Sequence, residues 1–367
     1  MEDIMTKRGI GFALAGLLLA AACGGGAAPA ASQAAGTAAA SAAPTKPPRA
    51  AIKVAIGSAA SLNYLSWDLA KALGYFEDEN LDVSLSYSAS GNDAATALLS
   101  GSVEFTGNSM DQSIKAQIAG KPTKMVVSFS KTPGAAIVVR NELKDTVKTL
   151  KDLKGKTVGA TGQGTGTHVV LTYALNQAGL VQDKDYTFKP CGSGTMAATL
   201  DSKGADACIN SDPYITQYVA ANKGFILKDY RTVKDTTELI GGSYQFTGAV
   251  TTADFIAKSP DVVQRVVNAL VKTNKYIQAT PSKDIAAKLP KSVTGDDVDL
   301  YVKTLDAAKG YVSADGLIDP AGAQNVLKMN VEDCKVNPTL CGNVKPDDKV
   351  DVNNLFDNSF AQKAQSK

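Results

Sequence analysis

Short apolar strands alternate with amphipathic helices along this chain, and the alternation runs twice. That pattern constrains the fold more than any other feature of the sequence. In the first run, residues 51–56 read as a strand that ends at Gly57-Ser58. Leu62, Leu65, Leu69 and Leu73 then recur every three to four residues, the spacing of one buried helix face, up to Gly74. Residues 81–87 alternate as a second strand, and Ser90-Gly91-Asn92-Asp93 opens a helix that runs to Leu99 and stops at Gly101. A third strand at 103–106 leads into Gly107-Asn108-Ser109, and a further helix and a strand at 125–129 follow. The grammar restarts with a strand at 157–161, the loop Gly162-Gln163-Gly164-Thr165-Gly166 and a helix over 167–178. Strands are predicted again at 186–190, followed by Gly192-Ser193-Gly194-Thr195, and at 207–210. Asp212-Pro213, Ser259-Pro260 and Asp319-Pro320 read as helix starts, an N-cap followed by proline at the first helical position. After Thr251 the chain reads as mostly helical, at 261–278, 282–289, 296–308 and 321–329. The expected class is α/β, with two lobes, each a mostly parallel sheet flanked by helices, and extra C-terminal helices.

The two runs echo one another. Ser90-Gly91-Asn92-Asp93-Ala94-Ala95-Thr96 is similar, with a one-residue shift, to Ser193-Gly194-Thr195-Met196-Ala197-Ala198-Thr199. Each leads through a helix and a glycine to a strand closed by Asn-Ser, at Asn108-Ser109 and Asn210-Ser211. Shared strand-loop-helix grammar accounts for this as well as duplication does.

The N-terminus reads as an address. Lys7-Arg8 precedes an apolar run from residue 9 to 22, the pattern of a secretory signal and too short to span a bilayer. Glu2 and Asp3 sit badly in such a leader, which reads better from Met5 than from Met1. Leu19-Ala20-Ala21-Ala22-Cys23 resembles the bacterial lipobox, in which the cysteine is acylated. Residues 24–48 are almost wholly Gly, Ala, Ser, Thr and Pro and cannot bury a core, so they read as a tether. Export implies an oxidising compartment for Cys191, Cys208, Cys334 and Cys341, which allow three connectivities. A Cys334–Cys341 bridge closing a short loop is expected. Cys191 and Cys208 are then left as a pair on strands separated by a third.

Lys+Arg 38 against Asp+Glu 36 gives a net charge of +2, which argues against nucleic acid as a partner. The single histidine, His168, excludes sites built on several imidazoles. Five arginines in all, at 8, 49, 140, 231 and 265, argue against a multi-arginine anion clamp. Gly162-x-Gly164-x-Gly166 has the wrong spacing for a dinucleotide fingerprint, and Gly155-Lys156-Thr157 lacks the upstream glycine of a phosphate loop. There is no Gly-x-Ser-x-Gly elbow. No enzyme activity, cofactor or metal is expected. Ligands of such sheets bind beyond the carboxyl ends of the strands, where helix N-termini offer free N–H groups.

Several segments together carry a family resemblance. They are residues 69–76 (Leu-Ala-Lys-Ala-Leu-Gly-Tyr-Phe), 152–159 (Asp-Leu-Lys-Gly-Lys-Thr-Val-Gly), the Gly164-Thr165-Gly166-Thr167-His168 loop, and Gly204-Ala205-Asp206-Ala207 running to Asp212-Pro213. Asp254-Phe255-Ile256 with Ser259-Pro260-Asp261-Val262-Val263 completes the set. Over about residues 51–290 the chain resembles the substrate-binding proteins of ABC importers in the nitrate/sulfonate/taurine class, which are type II periplasmic binding proteins. The resemblance implies capture of a small organic solute, sulfonate-, carboxylate- or heterocycle-like, in an interlobe cleft, and delivery to a membrane permease by a lipid-anchored monomer. Relatives that feed a sensor, or that make the thiamine pyrimidine, are the alternatives. The implied organisation is a signal peptide at 1–22, the lipidated Cys23 and tether at 23–50, the first part of lobe 1 at 51–134, lobe 2 with the crossovers at 135–248, and the helical remainder of lobe 1 at 249–367. The crossovers are placed near 135–140 and 244–250. The implied pocket draws on Ser58, Asn63, Tyr64, Ser90, Gly91, Asn92, Asn108 and Ser109 from lobe 1. From lobe 2 it draws on Thr165, Thr167, His168, Ser193, Ser211 and Asp212, although Asp212 could equally cap its helix. Trp67, the only tryptophan, reads as core.

Overall fold

The computed structural model describes residues 47–338, 345 and 349–366. In chain order its strands are β1 Ala50–Ile56, β2 Leu81–Tyr87, β3 Phe105–Ser109, β4 Thr123–Ser128, β5 Ala135–Arg140, β6 Thr157–Ala160, β7 Thr187–Pro190, β8 Ala207–Ser211, β9 Gly224–Asp229 and β10 Thr247–Thr252. They form two five-stranded sheets, ordered β2-β1-β3-β10-β4 and β7-β6-β8-β5-β9. The orders correspond place for place, so the echo in the sequence has a counterpart in the topology.

Each sheet is mixed. In the first, β1 runs parallel to β2 and β3, whereas β10 is antiparallel to β3 and β4. In the second, β6 runs parallel to β7 and β8, whereas β5 is antiparallel to β8 and β9. Four of the five strands in each sheet therefore run one way, as expected of mostly parallel sheets, and only β10 and β5 are reversed. The fourth strand of each sheet arrives from the other lobe rather than through a local strand-helix-strand unit, so its direction is not set by the right-handed crossover that keeps neighbours parallel.

The central strands are covered on both faces. All five residues of β3 and all five of β8 are buried. Both strands run further than expected, through Ser109 and Ser211, so the Asn-Ser pairs belong to the sheets rather than to the loops. Trp67 is fully buried, packed against Phe76, Phe105 and Phe129 at ring-centroid distances of 5.9 to 6.2 Å. Ser90 accepts from the Asp93 N–H and Thr165 from the His168 N–H, capping their helices, whereas Ser259 precedes the Pro260–Ala279 helix as expected but its side chain makes no cap hydrogen bond. Asp319 caps the Pro320–Val336 helix with proline in its first turn.

Asp212-Pro213 departs from that rule. The bond is cis, and the helix spans Tyr214–Ala220 with Pro213 before it. Asp212 still satisfies the helix from outside, accepting from the N–H (3.2 Å) and hydroxyl (2.7 Å) of Thr216.

Cys191 and Cys208 form a disulfide, with Cα atoms 6.2 Å apart. Cys191 follows β7 and Cys208 lies on β8, so the bridge passes over β6, which lies between them. The passage is possible because β6 carries Gly159 there. A Cβ at Gly159 would stand 2.7 Å from the Cβ of Cys191. Cys334 is also disulfide-bonded. Its expected partner Cys341, like the signal peptide, Cys23 and most of the tether, lies outside the described residues.

The Pro320–Val336 helix packs on both the Met110–Ile118 helix of the first lobe and the Gly166–Gln177 helix of the second. Among the described residues no helix is long and apolar enough to cross a membrane.

Candidate functional site

The carboxyl ends of β1, β3, β6, β7 and β8 converge on one cavity between the lobes. It holds about 360 Å³ of empty space, of which only about 30 Å³ can take the centre of a water molecule, so it is narrow. From the first lobe it is lined by Gly57, Ser58, Ser61, Asn63, Tyr64, Gly91 and Ser109. From the second come Thr161, Thr165, Gly166, Thr167, Ser193 and Ser211, and Phe246 reaches in from the segment before β10. Nine of these fourteen residues carry a hydroxyl and none carries a formal charge, so the lining offers hydrogen bonds rather than ion pairs.

The N-termini of three helices, Gly91–Leu99, Met110–Ile118 and Gly166–Gln177, meet here. First-turn N–H groups have no partner within their own helix, and the aligned peptide dipoles favour an electron-rich ligand atom. Thr161, Thr165 and Thr167 hydrogen-bond one another at 2.6 to 3.1 Å and define the second-lobe wall. Thr165 also donates to the Gly162 carbonyl at 2.7 Å, which holds the loop in shape.

The lobes touch on both rims. On one, Ser61 and Ser211 share a hydrogen bond of 2.9 Å, the Leu62 N–H donates to the Asp212 carbonyl at 2.9 Å, and Tyr214 donates to the Ala59 carbonyl at 2.5 Å. On the other, Asn92 donates to the Gln163 carbonyl at 2.9 Å, while Gln112 and Lys115 donate to the Gly164 carbonyl. Gly166 fits between. A Cβ there would come within 2.7 to 2.8 Å of Asp111, Phe246 and Ser109. Burial pulls the Lys115 ammonium below its usual range, and Asp111 and Asp333 oppose that shift. Burial also pushes the Tyr64 hydroxyl above its ordinary range, assisted by Asp111, so it stays a neutral donor.

The structure places Ser58, Asn63, Tyr64, Gly91, Ser109, Thr165, Thr167, Ser193 and Ser211 around the cavity, and five other candidates elsewhere. Ser90 is a helix cap that also donates to Asp93 at 2.8 Å. Asn92 bridges the rim. Asn108 is buried behind Gly91, to whose carbonyl it donates at 2.8 Å. Asp212 accepts from Arg231 at 2.8 Å as well as from Thr216, so its carboxylate is committed to structure. His168 is buried with Nε2 2.9 Å from Gln182 and its ring edge-on to Phe188. Burial lowers its pKa to about 4, only partly opposed by Gln182, so the imidazole is neutral near pH 7.

Gly57, Ser61, Thr161, Gly166 and Phe246 line the cavity without having been singled out in the sequence. Thr161 ends a predicted strand and Gly57 precedes Ser58, so both carried a positional signal. Phe246 lies in the crossover placed near 244–250, and that placement was its only signal. Among the described residues no three His, Cys, Asp or Glu side chains converge to hold a metal.

Two lobes of matching topology with a cleft at their strand ends define the periplasmic-binding-protein fold. Residues 63–284 match the NMT1/THI5-like family, and the chain belongs to it. A solved Bordetella bronchiseptica RB50 protein is 27% identical with a TM-score of 0.78, covering 87% of this chain and 98% of that one. The periplasmic aliphatic sulphonate binding protein SsuA from Escherichia coli is 22% identical with a TM-score of 0.63, covering 84% and 98%. The Saccharomyces cerevisiae 4-amino-5-hydroxymethyl-2-methylpyrimidine phosphate synthase THI11 is 23% identical over 59% of this chain, which spans 63% of the yeast enzyme's length.

Proposed function

We propose that this chain is the extracytoplasmic solute-binding component of an ABC importer. It captures a small organic solute between its lobes and passes it to a membrane permease. The observation that carries the reading is the cavity itself: loops from both lobes supply a neutral, hydroxyl-rich lining beneath three helix N-termini. A ligand touching both lobes stabilises their closed arrangement by the contacts it makes only there. Without a lysine or arginine in the lining, and with the carboxylate of Asp111 against Gly166, the solute is neutral or singly charged. Acceptor atoms on the solute face the helix ends. The leader and Cys23 fit an exported chain anchored by lipid, and the tether after Cys23 would give it reach.

The yeast synthases raise an enzyme as the second reading. Against it, the lining presents no histidine, cysteine or carboxylate that could carry acid–base or nucleophilic work. One experiment separates the two. The protein is unfolded and refolded to strip solute, then screened by thermal shift against nitrate, ethanesulfonate, benzoate and 4-amino-5-hydroxymethyl-2-methylpyrimidine. A ligand at 100 times its dissociation constant adds about 2.7 kcal/mol and raises the midpoint by a few degrees. A hit recovered with unchanged mass supports the receptor. Turnover of the hit, or a flat panel with folded protein, counts against it.

A further inference from the structure

We propose that Asn108 and Asn210 are a matched pair of positioning residues, one per lobe, whose carboxamides set the spacing of the loops that line the cavity. The proposal rests on reading that cavity as the solute site. Neither side chain lines it, and both residues are fully buried.

The two occupy corresponding places. Asn108 is the penultimate residue of β3 and Asn210 that of β8, each the third strand of its sheet. Each is followed by a cavity-lining serine, and each Oδ1 accepts from that serine's N–H at 2.9 Å. Each Nδ2 then reaches past the second strand of the sheet to the segment that follows the first. Asn108 donates to the carbonyl of Gly91, after β2, at 2.8 Å, and Asn210 to the carbonyl of Cys191, after β7, at 3.1 Å. In the second lobe Ser193 also donates to Asn210 Oδ1, at 3.1 Å. One carboxamide therefore ties Gly91 to Ser109, and the other ties Ser193 to Ser211.

The chemistry requires a carboxamide. The site needs a donor and an acceptor on one planar group, held where water does not reach. Aspartate keeps the acceptor but sets an oxygen against a carbonyl, and alanine leaves both partners unsatisfied. In each lobe the segments held supply two residues of the cavity lining, Gly91 and Ser109 in the first and Ser193 and Ser211 in the second.

The test is hydrogen–deuterium exchange and ligand binding on the full chain with Asn108→Ala, Asn210→Ala, and Asn108→Asp and Asn210→Asp. The alanine variants should speed exchange about tenfold, the scale of one lost buried hydrogen bond, at Ser109 or Ser211 and in the loop tied to it, with the other lobe unchanged. The aspartate variants should keep Ser109 or Ser211 protected while the Gly91 or Cys191 loop is released. For whichever of nitrate, ethanesulfonate, benzoate or the aminopyrimidine binds, each alanine variant should weaken affinity about tenfold, and the double variant multiplicatively, because the sites lie in different lobes. Unchanged exchange in the tied loops overturns the proposal. So does a lowered melting midpoint with unchanged affinity, which would make the asparagines purely structural. If none of the four compounds binds the wild type, that failure falls on the proposed function, and the exchange pattern still decides the clamp.

Discussion

His168 shows how far a single residue can mislead. It stands in the first turn of a helix that points at the cavity, yet its ring is engaged with Gln182 and Phe188. Sequence shows that a residue is near a helix start and not which side of the helix it faces. The burial that removes it from the cavity makes it a stability determinant. Its pKa is lowered to about 4, with Lys115 adding to the lowering and Asp183 opposing it. In the unfolded chain it titrates near 6.5. The stabilisation is therefore present in full above pH about 6.5 and is lost as pH falls towards about 4, because the unfolded chain takes the proton first. The loss is on the order of 3 kcal/mol. Urea unfolding at pH 7 and at pH 4.5 should show a steeper drop for the wild type than for His168→Gln. Equal drops would mean that the imidazole titrates normally in the folded protein.

Strands and helices were largely legible because they are short apolar runs between glycines, and the loops at their ends disclosed most of the lining by position. The reversal of one strand in each sheet was not legible. It depends on β5 and β10 crossing between lobes, which no local pattern records. Asn210 was visible in the Asn-Ser echo, but nothing local in the sequence records that its carboxamide donates to the Cys191 carbonyl. The Cys191–Cys208 bridge is another such element. It pins the β7 loop to β8 across Gly159, and the pinned Cys191 carbonyl is the one Asn210 grips. It joins residues 17 apart in sequence, so chain entropy alone assigns it about 3 kcal/mol. The Cys191→Ala/Cys208→Ala double variant should lose about that much in urea unfolding. A loss under about 1 kcal/mol would mean that the second lobe is held by packing, with the bridge incidental.

At the scale of the molecule, the Pro320–Val336 helix does not belong to one lobe. Its Val326, Leu327 and Met329 join an apolar cluster that includes Met110 and Ile114 of the first lobe and Val170, Leu171 and Ala174 of the second. Asp333 accepts from Asn176 of the second lobe at 2.9 Å. Any opening of the lobes must pivot about this helix or peel one lobe from it, and peeling exposes apolar surface at about 25 cal/mol per Å². On the proposed function, contacts of that kind would hold a share of the ligand-free protein closed, with apparent affinity scaling with that share. Met329→Ala removes a fully buried side chain from the seam without touching the cavity. Small-angle scattering should show the ligand-free variant with a larger radius of gyration than the wild type, whose folded part should measure about 20 Å. With saturating ligand the two should converge, and the variant should bind more weakly by the factor its closed population has lost. If the variant binds as the wild type does and scatters identically without ligand, the helix is passive packing, and the closed state owes its population to the rim hydrogen bonds at Ser61–Ser211 and Asn92–Gln163.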